Sequence, residues 1–336
     1  MRRLLACAGL LALGLAATPA GTSGDAELNW IIHERCILEH RGAPGPRGDK
    51  LVIVGTGPAW IRRDGRRIEI LEHWGPPCRG GQPTVDNVDW IILKSSGSGE
   101  GVTVDASKGR FAPGATPERG TSEIEIRAYG EPITYRGTAH HDHIVLKTLG
   151  GRRAGLDLDA PAEGKRADVD MIVVGKRPQL LKIAGGRGPD LIDARGLVGY
   201  GGGAHALVLR GTAGDDTILG SRLSERRIED GPGDDLVRAG GGKDFFWGGR
   251  GHDEIYGDGG ADDLRYAVYR RYEQTFPDAA DRIFGGRGND RLDDRNGRHD
   301  VLRCGPGRDW VRRELFDHPG PDCELRTGPK SQPEKG

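Results

Sequence analysis

Residues 248–264 read GGRGHDEIYGDGGADDL. Within them a glycine-rich signal and an aspartate return after nine residues, at Asp253 and then Asp262. Each aspartate is followed two places later by an apolar residue, Ile255 and Leu264. A flexible Gly/Asp linker would keep no such register, so its persistence beyond this stretch decides the fold.

The register does persist. Aligned on the aspartate, the unit is Gly-Gly-x-Gly-x-Asp-x-apolar-x. GGRGPDLID from Gly185, GGRGHDEIY from Gly248 and GGRGNDRLD from Gly285 match it in full. Four units run without a break from Asp230: DGPGDDLVR, AGGGKDFFW, GGRGHDEIY and GDGGADDLR. GTAGDDTIL from Gly211, FPDAADRIF from Phe276, RNGRHDVLR from Arg295 and CGPGRDWVR from Cys304 are looser copies. The place two after the aspartate was not forced by the alignment, yet it holds Ile192, Ile218, Val237, Phe246, Ile255, Leu264, Ile283, Leu292, Leu302 and Val311, all apolar. Glycine supplies positive-φ turns, and x-apolar-x alternates as a short strand with one side chain inward. Each unit is then half a coil, and stacked coils bury a narrow apolar column. The expected class is all-β: a parallel β-roll, or β-solenoid, built from nine-residue repeats, with a degenerate β-rich N-terminal half.

The GGxGxDxUx unit resembles the calcium-binding nonapeptide repeat of RTX (haemolysin-type) proteins of the secreted bacterial type, over about 185–312. The resemblance implies that the repeat aspartate coordinates Ca²⁺ together with turn carbonyls of its own and the neighbouring coil. Carried over, the metal ligands are Asp235, Asp244, Asp253, Asp262, Asp281 and Asp290, then Asp190, Asp216, Asp300 and Asp309. The chemistry agrees, because stacked carboxylates repel unless neutralised, and Ca²⁺ is a hard cation that accepts six to eight oxygens. Alternatively these aspartates only cap tight turns. Asp253, in the unbroken run, is expected to matter more to Ca²⁺ than Asp190.

The chain departs from the family pattern in three ways. Arg187, Arg238, Arg250, Arg265, Arg287 and Arg303 occupy variable positions, where an arginine fork could replace part of the metal. GSRLSERRI from Gly220 lacks the aspartate, and YAVYRRYEQT from Tyr266 is an aromatic, basic bulge. Family toxins usually leave the cell by a C-terminal signal, whereas this chain begins with a general N-terminal one.

That beginning is MRRLLACAGLLALGLAATPA. Arg2 and Arg3, an apolar run over 4–17 and the small-residue exit Thr18-Pro19-Ala20 lay out a secretory signal peptide, with cleavage expected after Ala20. A rival lipoprotein box at 4–7 fits poorly, since the apolar run continues past Cys7. No other stretch is long and apolar enough to span a bilayer, so the protein is expected to be secreted. The remaining Cys36, Cys78, Cys304 and Cys323 are even in number and lack a Cys-x-x-Cys spacing, which favours disulfides over a zinc site. Of three connectivities, Cys36–Cys78 with Cys304–Cys323 closes the shortest loops, and reduced thiols are the alternative. A net charge of −1 with interleaved signs argues against nucleic acid as a partner.

Short apolar runs at 51–54, 68–71, 90–93, 102–104, 124–126, 144–146 and 171–174 give the N-terminal half all-β patterning. GTAHHDHIV from Gly137 keeps Asp142 and Ile144 in the repeat register, and GTGPAWIRR from Gly55 keeps its glycines and Ile61. The half reads as a decayed solenoid, with a separate small β-sandwich as the alternative. The organisation is therefore a signal peptide at 1–20, a degenerate solenoid or small β domain at 21–180, the repeats at 181–325 and a disordered tail at 326–336.

Catalytic motifs fail when tested. HERCILEH from His33 does not place two histidines four apart. His140, His141, Asp142 and His143 are adjacent and would point different ways on a strand or turn. The serines near Ser95 form no nucleophile elbow, and GYGGGAH at Gly199 lacks a strand–helix frame. The leading expectation is an exported, non-enzymatic calcium-binding solenoid whose folding is coupled to extracellular Ca²⁺. Its further partner would be a cell-surface or matrix polysaccharide or protein. The competing expectation is a carbohydrate-active enzyme, lyase- or epimerase-like, with Tyr266, Tyr269 and Tyr272 lining a sugar groove near Arg270 and Arg271.

Overall fold

The computed structural model describes residues 35–39, 49–71, 78–96, 101–112, 124–150, 153–158, 170–174, 180–200, 206–266, 279–313 and 315–324. The expected signal peptide, the tail from 326 and residues 267–278 of the aromatic bulge lie outside them, as do His33 and His40. Among the described residues there is no α-helix, and so none long and apolar enough to cross a membrane.

The chain winds alternately through two sheets, one of fourteen strands and one of eleven. Asp49–Gly55 enters the first sheet, Ala59–Asp64 the second, Val88–Ser95 the first and Val102–Asp105 the second. The same alternation continues through Leu236–Arg238, Phe245–Trp247, Glu254–Tyr256 and Asp263–Arg265. Successive coils pair in parallel, so strands of the N-terminal half and of the repeats belong to the same two sheets. This is a β-roll, with two strands per coil.

Antiparallel pairing interrupts it at three places. Arg35–Glu39 folds back on Asp49–Gly55. Ala59–Asp64 and Arg67–Leu71 form a hairpin across Gly65, whose φ of 60° suits the tight turn. His143–Thr148, Ala154–Asp157 and Met171–Val173 form a meander within the first sheet, while in the second sheet Ile133–Arg136 pairs directly with Leu181–Arg187. One coil thus carries three strands in the first sheet.

From Thr217 to Arg312 the strands of the two large sheets are three residues long and bury their middle one. Ile218, Val237, Ile255, Ile283 and Leu302 stack in register in one sheet. Ile228, Phe246, Leu264, Leu292 and Val311 stack opposite them in the other. No member of this column is more than 1% exposed. Most turns before these strands take positive φ at the second and fourth places of the unit, as at Gly286 (100°) and Gly288 (139°). Thr212 (91°) and Asp258 (62°) hold the second place without being glycine.

The bulge after Tyr266 does not break the column. Asp253 and Asp281 are 28 residues apart where Asp235 and Asp253 are 18, yet Glu254–Tyr256 still pairs with Arg282–Phe284 in parallel. Disulfides join Cys36 to Cys78 and Cys304 to Cys323, the local connectivity.

Candidate metal centre

Each half-coil places its acidic residue at the end of a turn, immediately before a strand, so the acids line the two edges of the roll. On edge I, which leads into the fourteen-stranded sheet, the backbone N–H of each acid donates to Oδ1 of the acid one coil further on. The bonds run from Asp142 to Asp190 (2.8 Å), Asp190 to Asp216 (2.8 Å), Asp216 to Asp235 (2.7 Å), Asp235 to Asp253 (2.9 Å), Asp253 to Asp281 (3.0 Å) and Asp281 to Asp300 (2.8 Å). On edge II they run from Glu225 to Asp244 (2.7 Å), then to Asp262, Asp290 and Asp309 (2.9 Å each). The ten aspartates singled out by the repeat all stand in these two ladders.

Two members escaped the sequence reading. Asp142 keeps the repeat register, but in the sequence it stands among three histidines that obscure it. Here His141 Nδ1 meets the Pro189 carbonyl instead of joining a metal-binding group. Glu225 fills the place in GSRLSERRI that lacks an aspartate, and its apolar partner Ile228 comes one residue late. The sign was its spacing, 19 residues before Asp244.

The second oxygen of each carboxylate decides what the ladders can do. Oδ2 of Asp190, Asp216, Asp235, Asp244, Asp262, Asp290, Asp300 and Asp309, and Oε2 of Glu225, are buried and have no hydrogen-bond partner. None of these nine residues is more than 3% exposed. An anionic oxygen withdrawn from water without a partner is costly, so rows of them fit a cation. The first glycine of the unit makes room for that oxygen, since a Cβ on Gly211 would lie 2.3 Å from Asp216 Oδ2 and one on Gly185 2.4 Å from Asp190 Oδ2.

Without a cation, burial is the main cause that pushes these carboxyls up from 3.8: to about 6 for Asp216 and Asp290, about 7 for Asp190 and Asp262, and about 8 for Asp235. Neighbouring ladder charges add to the rise at Asp190, Asp235, Asp262 and Asp290. Asp244 is also raised, by burial and then by Glu225.

Three ladder carboxylates are satisfied differently. Asp142 Oδ2 accepts from Thr138 N (2.6 Å) and Oγ1 (2.8 Å), and Arg110 reaches its Oδ1 at 3.2 Å. Asp281 Oδ2 accepts from Asn296 Nδ2 at 2.9 Å. Asp253 Oδ2 accepts from the Tyr266 hydroxyl at 3.1 Å. Tyr266 is 2% exposed, which corrects its reading as the wall of a sugar groove. Its ring passes over Gly248, where a Cβ would come within 2.2 Å of it. Tyr269, Arg270, Arg271 and Tyr272 lie outside the described residues.

Arginine does not fill the empty places. Arg265 pairs with Asp263 (2.5 Å) and stacks over Phe245. Arg238 stands 3.9 Å from Asp258 and over Tyr256. Arg227 pairs with Glu229 at 2.8 Å. These partners lie beside the ladders, and the nine unpartnered oxygens receive no guanidinium.

Against known families, a model of the RTX calcium-binding nonapeptide repeat matches residues 208–222, 229–264 and 278–311, in four copies. No curated protein and no solved structure matches the chain.

Proposed function

We propose, from the premise that the chain is a calcium-binding β-roll built on RTX nonapeptide repeats, that Ca²⁺ is held by the two edge ladders and sets the repeat coils after export. The observation that carries this reading is the double row of buried oxygens with no hydrogen-bond donor. The ligands on edge I are Asp190, Asp216, Asp235, Asp281 and Asp300, with Asp253 contributing less because the Tyr266 hydroxyl already donates to it. On edge II they are Glu225, Asp244, Asp262, Asp290 and Asp309. The cation supplies positive charge and oxygen coordination where the fold supplies none, and binding is therefore folding free energy.

Export is supported by the layout of residues 1–20 and by the two disulfides, which persist in oxidising compartments. The interior of a cell is poor in Ca²⁺, so the repeats would remain loose until they reach the outside. A non-enzymatic role is supported by the burial of the ladder acids, which accept hydrogen bonds from backbone amides. Cation–aromatic pairs on the coils, such as Arg291 over Trp310 at 4.3 Å and Arg127 over Trp90 at 5.1 Å, offer a surface for a matrix polysaccharide or protein.

Circular dichroism of the mature chain in EDTA and then in millimolar Ca²⁺ tests the reading. The expected result is a gain in strand signal and in melting temperature on adding Ca²⁺. Identical spectra and melting in both would refute it.

A further inference from the structure

Where each coil leaves the eleven-stranded sheet on edge I, one residue holds the corner. Strand register makes these residues Gly211, Asp230, Gly248, Tyr266 and Asp294 in successive coils. Glycine is the residue of the repeat at this place, so three coils depart from it.

Two of the departures offset each other. Asp230, Asp235 and Asp253 bring one oxygen each to within 4.8 Å of one another. Tyr266, two coils on from Asp230, points its hydroxyl into that group, 3.3 Å from Asp230 Oδ2 and 3.1 Å from Asp253 Oδ2. The Gly231 N–H donates to the other oxygen of Asp230 at 2.7 Å. A neutral donor thus occupies the place between these carboxylates.

Asp294 has no such donor. It is 0% exposed, and both its Oδ1 and its Oδ2 are buried without a hydrogen-bond partner. With Asp281 and Asp300 it forms a second group of three oxygens within 4.8 Å. Asp300 is also 0% exposed, with Oδ2 unpartnered, while Asn296 steadies Asp281 through its Oδ2. Burial first, and then the charge of Asp300, push the Asp294 carboxyl well up in the absence of a counterion. Three inward carboxylates with three unpartnered oxygens exceed what a ladder step presents.

The geometry points to a distinct cation site in which Asp281, Asp294 and Asp300 together hold one Ca²⁺, with Asp294 as a ligand that the nonapeptide repeat does not supply. An all-oxygen, strongly anionic donor set selects a hard divalent cation, and affinity rises with the number of charged ligands. This site is therefore the tightest of the roll and fills first. The inference rests on the reading of the ladders as Ca²⁺ ligands.

Calorimetric titration of the calcium-stripped full mature chain with Ca²⁺ tests it, comparing wild type with Asp294→Asn and Asp294→Gly. Glycine is what Gly211 and Gly248 place at the same corner, so the second variant keeps a residue the roll accepts there. The expected result is one ion fewer in the tight class, or its affinity reduced at least about tenfold, with the remaining sites unchanged. Wild-type affinity and stoichiometry in both variants would overturn the site while leaving the ladders standing. Absence of any Ca²⁺ uptake by the wild type would overturn both. Crystals of the wild-type chain grown with Tb³⁺ give an independent answer: an anomalous peak among Asp281, Asp294 and Asp300 supports the site, and peaks confined to the other ladder steps contradict it.

Discussion

The coils before residue 175 and those after 214 share two sheets but are held together differently. In the earlier coils a strand buries two or more apolar side chains, as Leu51 and Ile53, Ile91 and Leu93, or Val102 and Val104 do. Each such burial is worth roughly 1.5–3 kcal/mol. Two of their buried acids are met by the protein itself, Asp142 by Thr138 and Arg110 and Asp170 by the amide of Leu158. In the later coils a strand buries one apolar side chain, and a carboxylate with one oxygen unpartnered stands before it. The same architecture is thus closed by hydrocarbon in one half and left open to a cation in the other. On this account, removing Ca²⁺ should weaken the later coils while leaving the earlier ones folded.

The largest effect that would sharpen this contrast comes from pH in the absence of Ca²⁺. The folded carboxyls stand at about 6 for Asp290, about 7 for Asp262 and about 8 for Asp235, against 3.8 when unperturbed. A raised folded value means that the fold holds the proton more tightly than the unfolded chain. The calcium-free repeats are therefore most stable below about pH 4 and lose that stability as pH rises through about 6 to 8. Their melting temperature in EDTA is predicted to fall between about pH 5 and 8. In saturating Ca²⁺ it should rise instead, because the ligands must be deprotonated. A pH-independent melt in EDTA would break the contrast.

A smaller effect should follow from single residues. Asn at 262 keeps an oxygen for the Asp244 amide but removes the charge, so Asp262→Asn is predicted to weaken Ca²⁺ binding at least about tenfold. Asp142→Asn, in the half closed by hydrocarbon, should leave the Ca²⁺ titration unchanged. Asp253→Asn should fall between the two, since Tyr266 already donates to its second oxygen. Equal losses for all three would mean that burial, rather than an unpartnered oxygen, selects the ligands.

The smallest effect concerns Tyr266→Phe. It removes the donor shared by Asp230 and Asp253 and should cost about 1–3 kcal/mol in denaturant unfolding with EDTA. Ca²⁺ should recover part of that loss, because the vacated place lies among three carboxylates. A loss unaffected by Ca²⁺ would show that the tyrosine serves packing alone.

The spacing of the repeat made much of this legible. An aspartate at the sixth place and an apolar residue at the eighth put ten aspartates on two edges and ten side chains in one column. What the spacing could not show was how the second oxygens are met. Asp253 lies in the most regular stretch and so reads as a stronger ligand than Asp190, but Tyr266 folds back over Gly248 to reach it. Asp230 and Asp294 were invisible because they replace the glycine of the unit and not its aspartate. Glu225 was missed because its longer side chain comes with an apolar residue displaced by one. In the N-terminal half, alternation revealed strands but not the coil they belong to. The register there is set by pairing between residues far apart, such as Asp142 with Asp190 across 48 positions.

Hydrogen exchange of the full mature chain, followed by mass spectrometry in EDTA and in Ca²⁺, tests the central claim most directly. The account predicts that amides over 216–266 and 279–312 gain strong protection with Ca²⁺, whereas those of Asp49–Gly55, Val88–Ser95 and Val102–Asp105 are protected in both conditions. Protection of the repeats that is the same with and without Ca²⁺ would contradict it.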